Sequence, residues 1–122
     1  EAKLSNAKQV VIWGSGSPMR EFLFIDDLTE ALYTLMERYE DADTINVGTG
    51  QDVSIAELAT LMRDVTGFQG EIVYDRTKPD GMMRKVLDVS RIKKLGWSPR
   101  VSLREGLEKT YDWAIKGGIF AA

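Results

Sequence analysis

The 122-residue chain contains no cysteine and no histidine. Without cysteine it has no disulfides and no thiolate metal ligands. Without histidine it lacks the commonest general base and metal-binding side chain. It has no excess of positive charge: 16 Lys and Arg stand against 19 Asp and Glu, a net charge of −3. Broad nucleic-acid binding is therefore not expected, although a local basic cluster can still hold one anion. No apolar run approaches the roughly 20 residues of a membrane span, and no signal peptide is visible. A soluble, cytoplasmic protein with no membrane contact is the expectation.

What is present is ordinary for a globular protein: 43% hydrophobic and 29% charged residues. The length suits one domain, which buries roughly two-thirds of its unfolded surface on folding. The opening "EAKLSNAKQVVIWG" has no initiator Met and no clear domain-opening strand. It reads as the interior of a longer polypeptide.

Periodicity predicts alternating strands and helices. Val10–Trp13 is a short β-prone run, and Glu21–Ile25 ("EFLFI") reads as a strand. A helix is expected from Asp26 or Asp27, with Asp27 and Glu30 at capping-box spacing and Leu28, Ala31, Leu32, Leu35, Met36 and Tyr39 as its apolar stripe. Thr44–Gly48 reads as a short buried strand. Ser54–Glu57 is a second capping box opening a helix, and Gly67 sits where a left-handed C-terminal cap belongs. Gly70–Asp75 is a strand, and Arg76–Lys85 a loop turned by Pro79-Asp80-Gly81. A short helix ends at Gly96, with Asp88 and Ser90 as its caps. Ser102–Glu105, a third capping box, opens the last helix, whose buried side is Leu103, Leu107, Tyr111, Ala114 and Ile115. About four helices and three or four short strands make the class α/β, a small lobe and not a full doubly wound sheet.

Local chemistry leaves alternatives open. Gly14-Ser15-Gly16 lacks the third glycine and the immediate helix of a dinucleotide fingerprint, so flexible turn glycines account for it. Trp13 suits either a core or a stacking platform for a purine or sugar ring. Arg20 suits either a surface ion pair or bidentate phosphate recognition. Lys78, Asp80, Arg84 and Lys85 form either a solvated loop or a lid whose cations meet phosphate. Asp26 and Asp27 read as helix caps and not as metal ligands. Met82 and Met83 read as adaptable packing. No nucleophile stands in pattern with a base, so by its residues the chain binds and does not catalyse.

Three stretches carry a resemblance: "VVIWGSGSPMREFLFIDDLTEAL", "INVGTGQDVSIAELA" and "KPDGMMRKVLDVSRIKKLGWSPRVSLREGLEKTYDW". Together they resemble the C-terminal part of the GDP-L-fucose synthase family of extended short-chain dehydrogenase/reductases, over about residues 9–116. The "REF" and "DD" pattern is superfamily-wide; "WGSGSPMREF" with "KPDGMMRKVLD" is far more specific. The resemblance implies an NADPH-dependent 3,5-epimerase and 4-reductase of GDP-4-keto-6-deoxymannose. It implies substrate contacts from Trp13, Arg20 and Asp80, with Lys85 near the diphosphate. It also implies that NADP and every catalytic residue belong to an N-terminal Rossmann domain, so residues 1–122 are one substrate-binding lobe, inactive alone, of a protein that is usually a homodimer. Two rivals remain at this point: the lobe of another nucleotide-sugar epimerase, dehydratase or reductase, and a non-enzymatic interaction module.

Overall fold

The computed structural model describes residues 1–119. Its elements run β1 (Gln9–Trp13), β2 (Met19–Arg20), α1 (Ile25–Arg38), β3 (Val53–Ser54), α2 (Ile55–Thr66), β4 (Glu71–Asp75), β5 (Arg84–Lys85), α3 (Ser90–Lys94) and α4 (Leu103–Lys116). The α/β class and the four helices are as the sequence predicts. β1 lies parallel to β4, from Gln9 opposite Glu71 to Trp13 opposite Asp75. β2 is the centre of a second small sheet, antiparallel to β3 and parallel to β5.

α2 forms as its residues dictate. The Ser54 hydroxyl accepts from the Glu57 N–H at 3.0 Å, and the Glu57 carboxylate accepts from the Ser54 N–H at 2.8 Å. Gly67 ends the helix at φ 68°, donating back to the Arg63 and Asp64 carbonyls. At α4 only half the expected box is made. Ser102 accepts from the Glu105 N–H at 3.3 Å, but the Glu105 carboxylate pairs with Lys109 at 2.8 Å, one turn on.

α1 departs from expectation. It starts at Ile25, and its N-cap, Phe24, has no side-chain cap bond. Asp27 is not a cap. It is buried, 3% exposed, and its carboxylate accepts from the backbone N–H groups of Arg100 and Val101 at 3.0–3.2 Å. Those part-buried donors are brought in by the turn before α4, and the carboxylate pairs them.

Glu21–Ile25 is likewise not a strand. Pairing stops at Arg20, and the Glu21 side chain replaces the ladder. One oxygen accepts from Gly50 N–H at 2.7 Å and from the Thr49 hydroxyl at 3.2 Å; the other accepts from Leu87 N–H at 2.8 Å. The carboxylate thereby spans the gap between the segments preceding β3 and following β5.

Thr44–Gly48 has no ladder partner among the described residues, and so is not the strand expected. Its alternation still works through side chains: Ile45 and Val47 pack, with Leu23 and Leu35, on a core of Ala31, Val89, Ile92 and Trp97. The apolar stripe of α1 is wider than the face it covers. Ala31 is fully buried, whereas Leu32 and Met36 are 51% and 85% exposed. Ile115, expected on the buried side of α4, is half exposed.

Candidate functional site

The predicted site residues gather around the segment from Asp75 to Lys85. Trp13 ends β1 opposite Asp75 and projects into solvent, 74% exposed, so it is not core. Lys78 swings back over it, with Nζ 5.5 Å from the indole centroid. A cation over an exposed indole is worth about 0.5–1 kcal/mol. The ring stays mostly exposed beside that cation, so a flat ligand can reach it.

Beyond Trp13 the chain turns at Gly14, whose φ of +88° favours glycine. Its N–H bonds the Asp75 carbonyl at 2.9 Å. A Cβ on Gly14 would collide with Asp80 Oδ1, so glycine lets the two loops touch. Asp80 then takes both donors of Ser15: its Oδ1 accepts from the N–H at 2.8 Å and its Oδ2 from the hydroxyl at 2.6 Å. The Ser15 hydroxyl bond, the Ser15 N–H bond and the charge of Arg76 hold the Asp80 carboxyl below the usual aspartate range. A carboxylate has roughly four acceptor sites, so Asp80 keeps capacity for a ligand.

The next residue of that turn faces Arg20. A Cβ on Gly81 would stand 3.5 Å from Arg20 Nη2. Arg20 is half-buried, with Nη1 donating to the Met19 carbonyl at 2.6 Å. The Met19 N–H in turn donates to the Met83 carbonyl at 2.7 Å, closing the loop onto β2. Lys85, exposed on β5, is the direct parallel partner of Arg20. On its other side Arg20 borders a cleft of about 290 Å³ with Phe22, Thr49, Gln51 and Arg100.

The loop is therefore not a run of unpaired charge. Arg84 grips Asp52 through Nε at 2.6 Å and Nη2 at 3.3 Å. That hydrogen bond and the guanidinium charge draw the Asp52 carboxyl below its ordinary range, outweighing its desolvation. Sequence reasoning missed Ser15, Asp52 and the face of Trp13 taken by Lys78. The one local sign was a serine, between two glycines, followed far along the chain by an aspartate in a Pro-Asp-Gly turn.

A larger apolar groove of about 580 Å³ lies between β1, β4, α2 and α4 and is lined by Val10, Ile12, Leu58, Met62, Ile72 and Ile115. It contains none of the four predicted site residues and offers little to a charged ligand. Among the described residues, no three His, Cys, Asp or Glu are grouped to hold a metal, and no helix is long and apolar enough to cross a membrane.

Residues 2–48 match the model of the NAD dependent epimerase/dehydratase family. The chain is 53% identical over 116 residues to GDP-L-fucose synthase 1 of Arabidopsis thaliana, an alignment covering 95% of the chain and 36% of the relative. The chain thus spans little more than a third of the curated relatives it matches. A crystal structure of a GDP-L-fucose synthetase from Naegleria fowleri bound to NADP superposes with a TM-score of 0.89 at 25% identity, covering 99% of this chain and 38% of that one. A UDP-glucose 4-epimerase from Thermotoga maritima, solved with UDP-glucose, superposes at 0.82 with 32% identity, over 95% of this chain and 37% of that one. Along nearly its whole length the chain resembles GDP-L-fucose synthases, and it shares their fold, while the match to the NAD dependent epimerase/dehydratase family model rests on residues 2–48.

Proposed function

We propose that this chain is the nucleotide-sugar-binding lobe of a GDP-L-fucose synthase, the NADPH-dependent enzyme that epimerises GDP-4-keto-6-deoxymannose at C3 and C5 and reduces it at C4. The observation that carries the reading is the convergence of Trp13, Arg20, Asp80 and Lys85 on the single segment 75–85. Arg20 offers its guanidinium fork to the diphosphate. Lys85 adds a point charge beside it. Trp13 stacks on a ring through its exposed indole, and Asp80 accepts from a ligand hydroxyl or ring N–H.

In this reading the lobe supplies orientation and no proton transfer. It holds the 4-keto sugar against catalytic groups elsewhere in the whole protein, a contribution of up to about 7–11 kcal/mol when positioning is ideal. The residues present do not fit a dinucleotide. Gly14-Ser15-Gly16 leads into β2 and not into a helix N-terminus, so it lacks the donor array that cradles a pyrophosphate. NADP is assigned to a Rossmann domain of the full-length protein, which is a cytoplasmic homodimer in this reading.

The Thermotoga maritima neighbour gives a second reading its footing, because its fold is shared and its ligand is a uridine nucleotide. Base choice decides between them. Titration of a full-length synthase carrying this segment, followed by calorimetry, is expected to show GDP-sugar binding and UDP-sugar binding at least about tenfold weaker. The reverse order would move the lobe to another nucleotide-sugar enzyme. Binding of neither would leave an interaction module.

A further inference from the structure

The Asp80 carboxylate is occupied before any ligand arrives. Both of its oxygens bond Ser15, one to the N–H and one to the hydroxyl. The same hydroxyl accepts from the Ser17 N–H at 3.1 Å. Ser15 is thus a relay: its oxygen receives one loop hydrogen bond and donates another across 65 residues of sequence to the opposite loop. Ser15 stands two residues after Trp13, and Asp80 stands one residue before Gly81, which lies against Arg20. The contact joins the loop between Trp13 and Arg20 to the turn that carries Asp80.

We propose that Ser15 is a positioning residue of the nucleotide-sugar site: by clamping Asp80 it sets the separation of the Trp13 loop from the 78–83 turn and so presents Trp13, Asp80 and Arg20 in one arrangement. The inference rests on the reading of the site above. Its physical basis is pre-organisation. Charge-assisted hydrogen bonds to a carboxylate are shorter and stronger than neutral ones, and a loop held in its binding geometry loses less entropy when ligand binds. Gly14 belongs to the same device, since any side chain there would meet Asp80 Oδ1.

The clamp carries a pH signature that a bulk stability role would not. Ser15 holds Asp80 ionised to lower pH than an ordinary aspartate. The clamp is complete above the ordinary aspartate pKa of about 3.9 and is lost as pH falls through the depressed value. Removing the hydroxyl raises that value, so the acid limb of ligand binding moves to higher pH.

Two measurements test this. In this chain, the Ser15 amide resonance is followed by NMR from neutral pH downward. Its expected inflection falls below the ordinary aspartate range and disappears in D80N, whereas an amide insensitive to acid would overturn the clamp. In a full-length synthase, the dissociation constant of GDP is measured across pH for the wild type, S15A, S15T, D80N and R20A. S15A is expected to weaken GDP about three- to tenfold, the scale of one ordinary hydrogen bond, and to move the acid limb upward, with S15T restoring both. S15A that matches the wild type in affinity and acid limb, while R20A weakens binding, overturns the positioning role alone. R20A without effect overturns the nucleotide site itself, and the amide titration still decides the clamp. If S15A does not fold, D80N is decisive: it keeps the side chain's shape, and unchanged GDP affinity in it would overturn the proposal.

Discussion

Arg20 and Lys85 stand directly opposite one another on parallel strands, so two cations share one register of a sheet only two residues deep. Among the described residues no carboxylate is bonded to the Arg20 guanidinium, whose Nη1 donates to the Met19 carbonyl. An anion is the partner that completes such a pair. R20A is therefore expected to weaken GDP-sugar binding in the full-length enzyme by about 1–3 kcal/mol, the scale for a lost charged hydrogen-bonding group. Isothermal calorimetry is the check, and an unchanged affinity would remove Arg20 from the site.

Trp13 provides an optical reporter. Of the three tryptophans, Trp97 is buried, whereas Trp13 and Trp113 are 74% and 66% exposed. In a W113F background Trp13 is the one exposed tryptophan left in residues 1–119, and W13F isolates its share of the emission. Saturating GDP is expected to alter that emission in the full-length protein, and W13F to abolish the change. An identical response in W13F would show that no ligand reaches the indole.

The Arg84–Asp52 pair anchors β5 and thereby Lys85. The Asp52 carboxyl is depressed by its bond to Arg84, so the pair contributes stability above the ordinary aspartate range, which is lost as pH falls through the depressed value. D52N is expected to unfold at lower urea concentration than the wild type at neutral pH. The gap between them closes in acid, where the wild type loses the same charge. A gap that persists unchanged in acid would assign the effect to something other than the ion pair.

Asp27 holds the turn into α4 by two part-buried backbone N–H groups. D27A leaves them without an acceptor and is expected to cost about 1–3 kcal/mol in urea unfolding. D27N keeps one acceptor oxygen and is expected to fall between. S54A removes the N-cap of α2 and is expected to cost about 0.5–2 kcal/mol. Equal stability of S54A and wild type would mean that the capping box adds nothing to α2.

The predicted site was legible in part. Spacing alone left Trp13, Arg20, Asp80 and Lys85 open between solvated surface and ligand contact. Their selection came from the resemblance carried by "WGSGSPMREF" and "KPDGMMRK". What neither spacing nor resemblance offered was the partner of Asp80. A carboxylate in a Pro-Asp-Gly turn looks the same in sequence whether it bonds a ligand or a distant serine.

By itself the sequence determined the class, the α2 boundaries and the helix periodicities. Ser54, Glu57 and Gly67 act on backbone groups within four residues, so their geometry is complete once the local chain is helical. Tertiary structure alone decided the fates of Glu21, Asp27 and Asp80. Each is a carboxylate with acceptor capacity to spare, and each serves donors 28 to 74 residues away. Which N–H groups need such an acceptor depends on where the folded chain leaves them unpaired, and that is a property of the packed molecule and not of any short stretch of it.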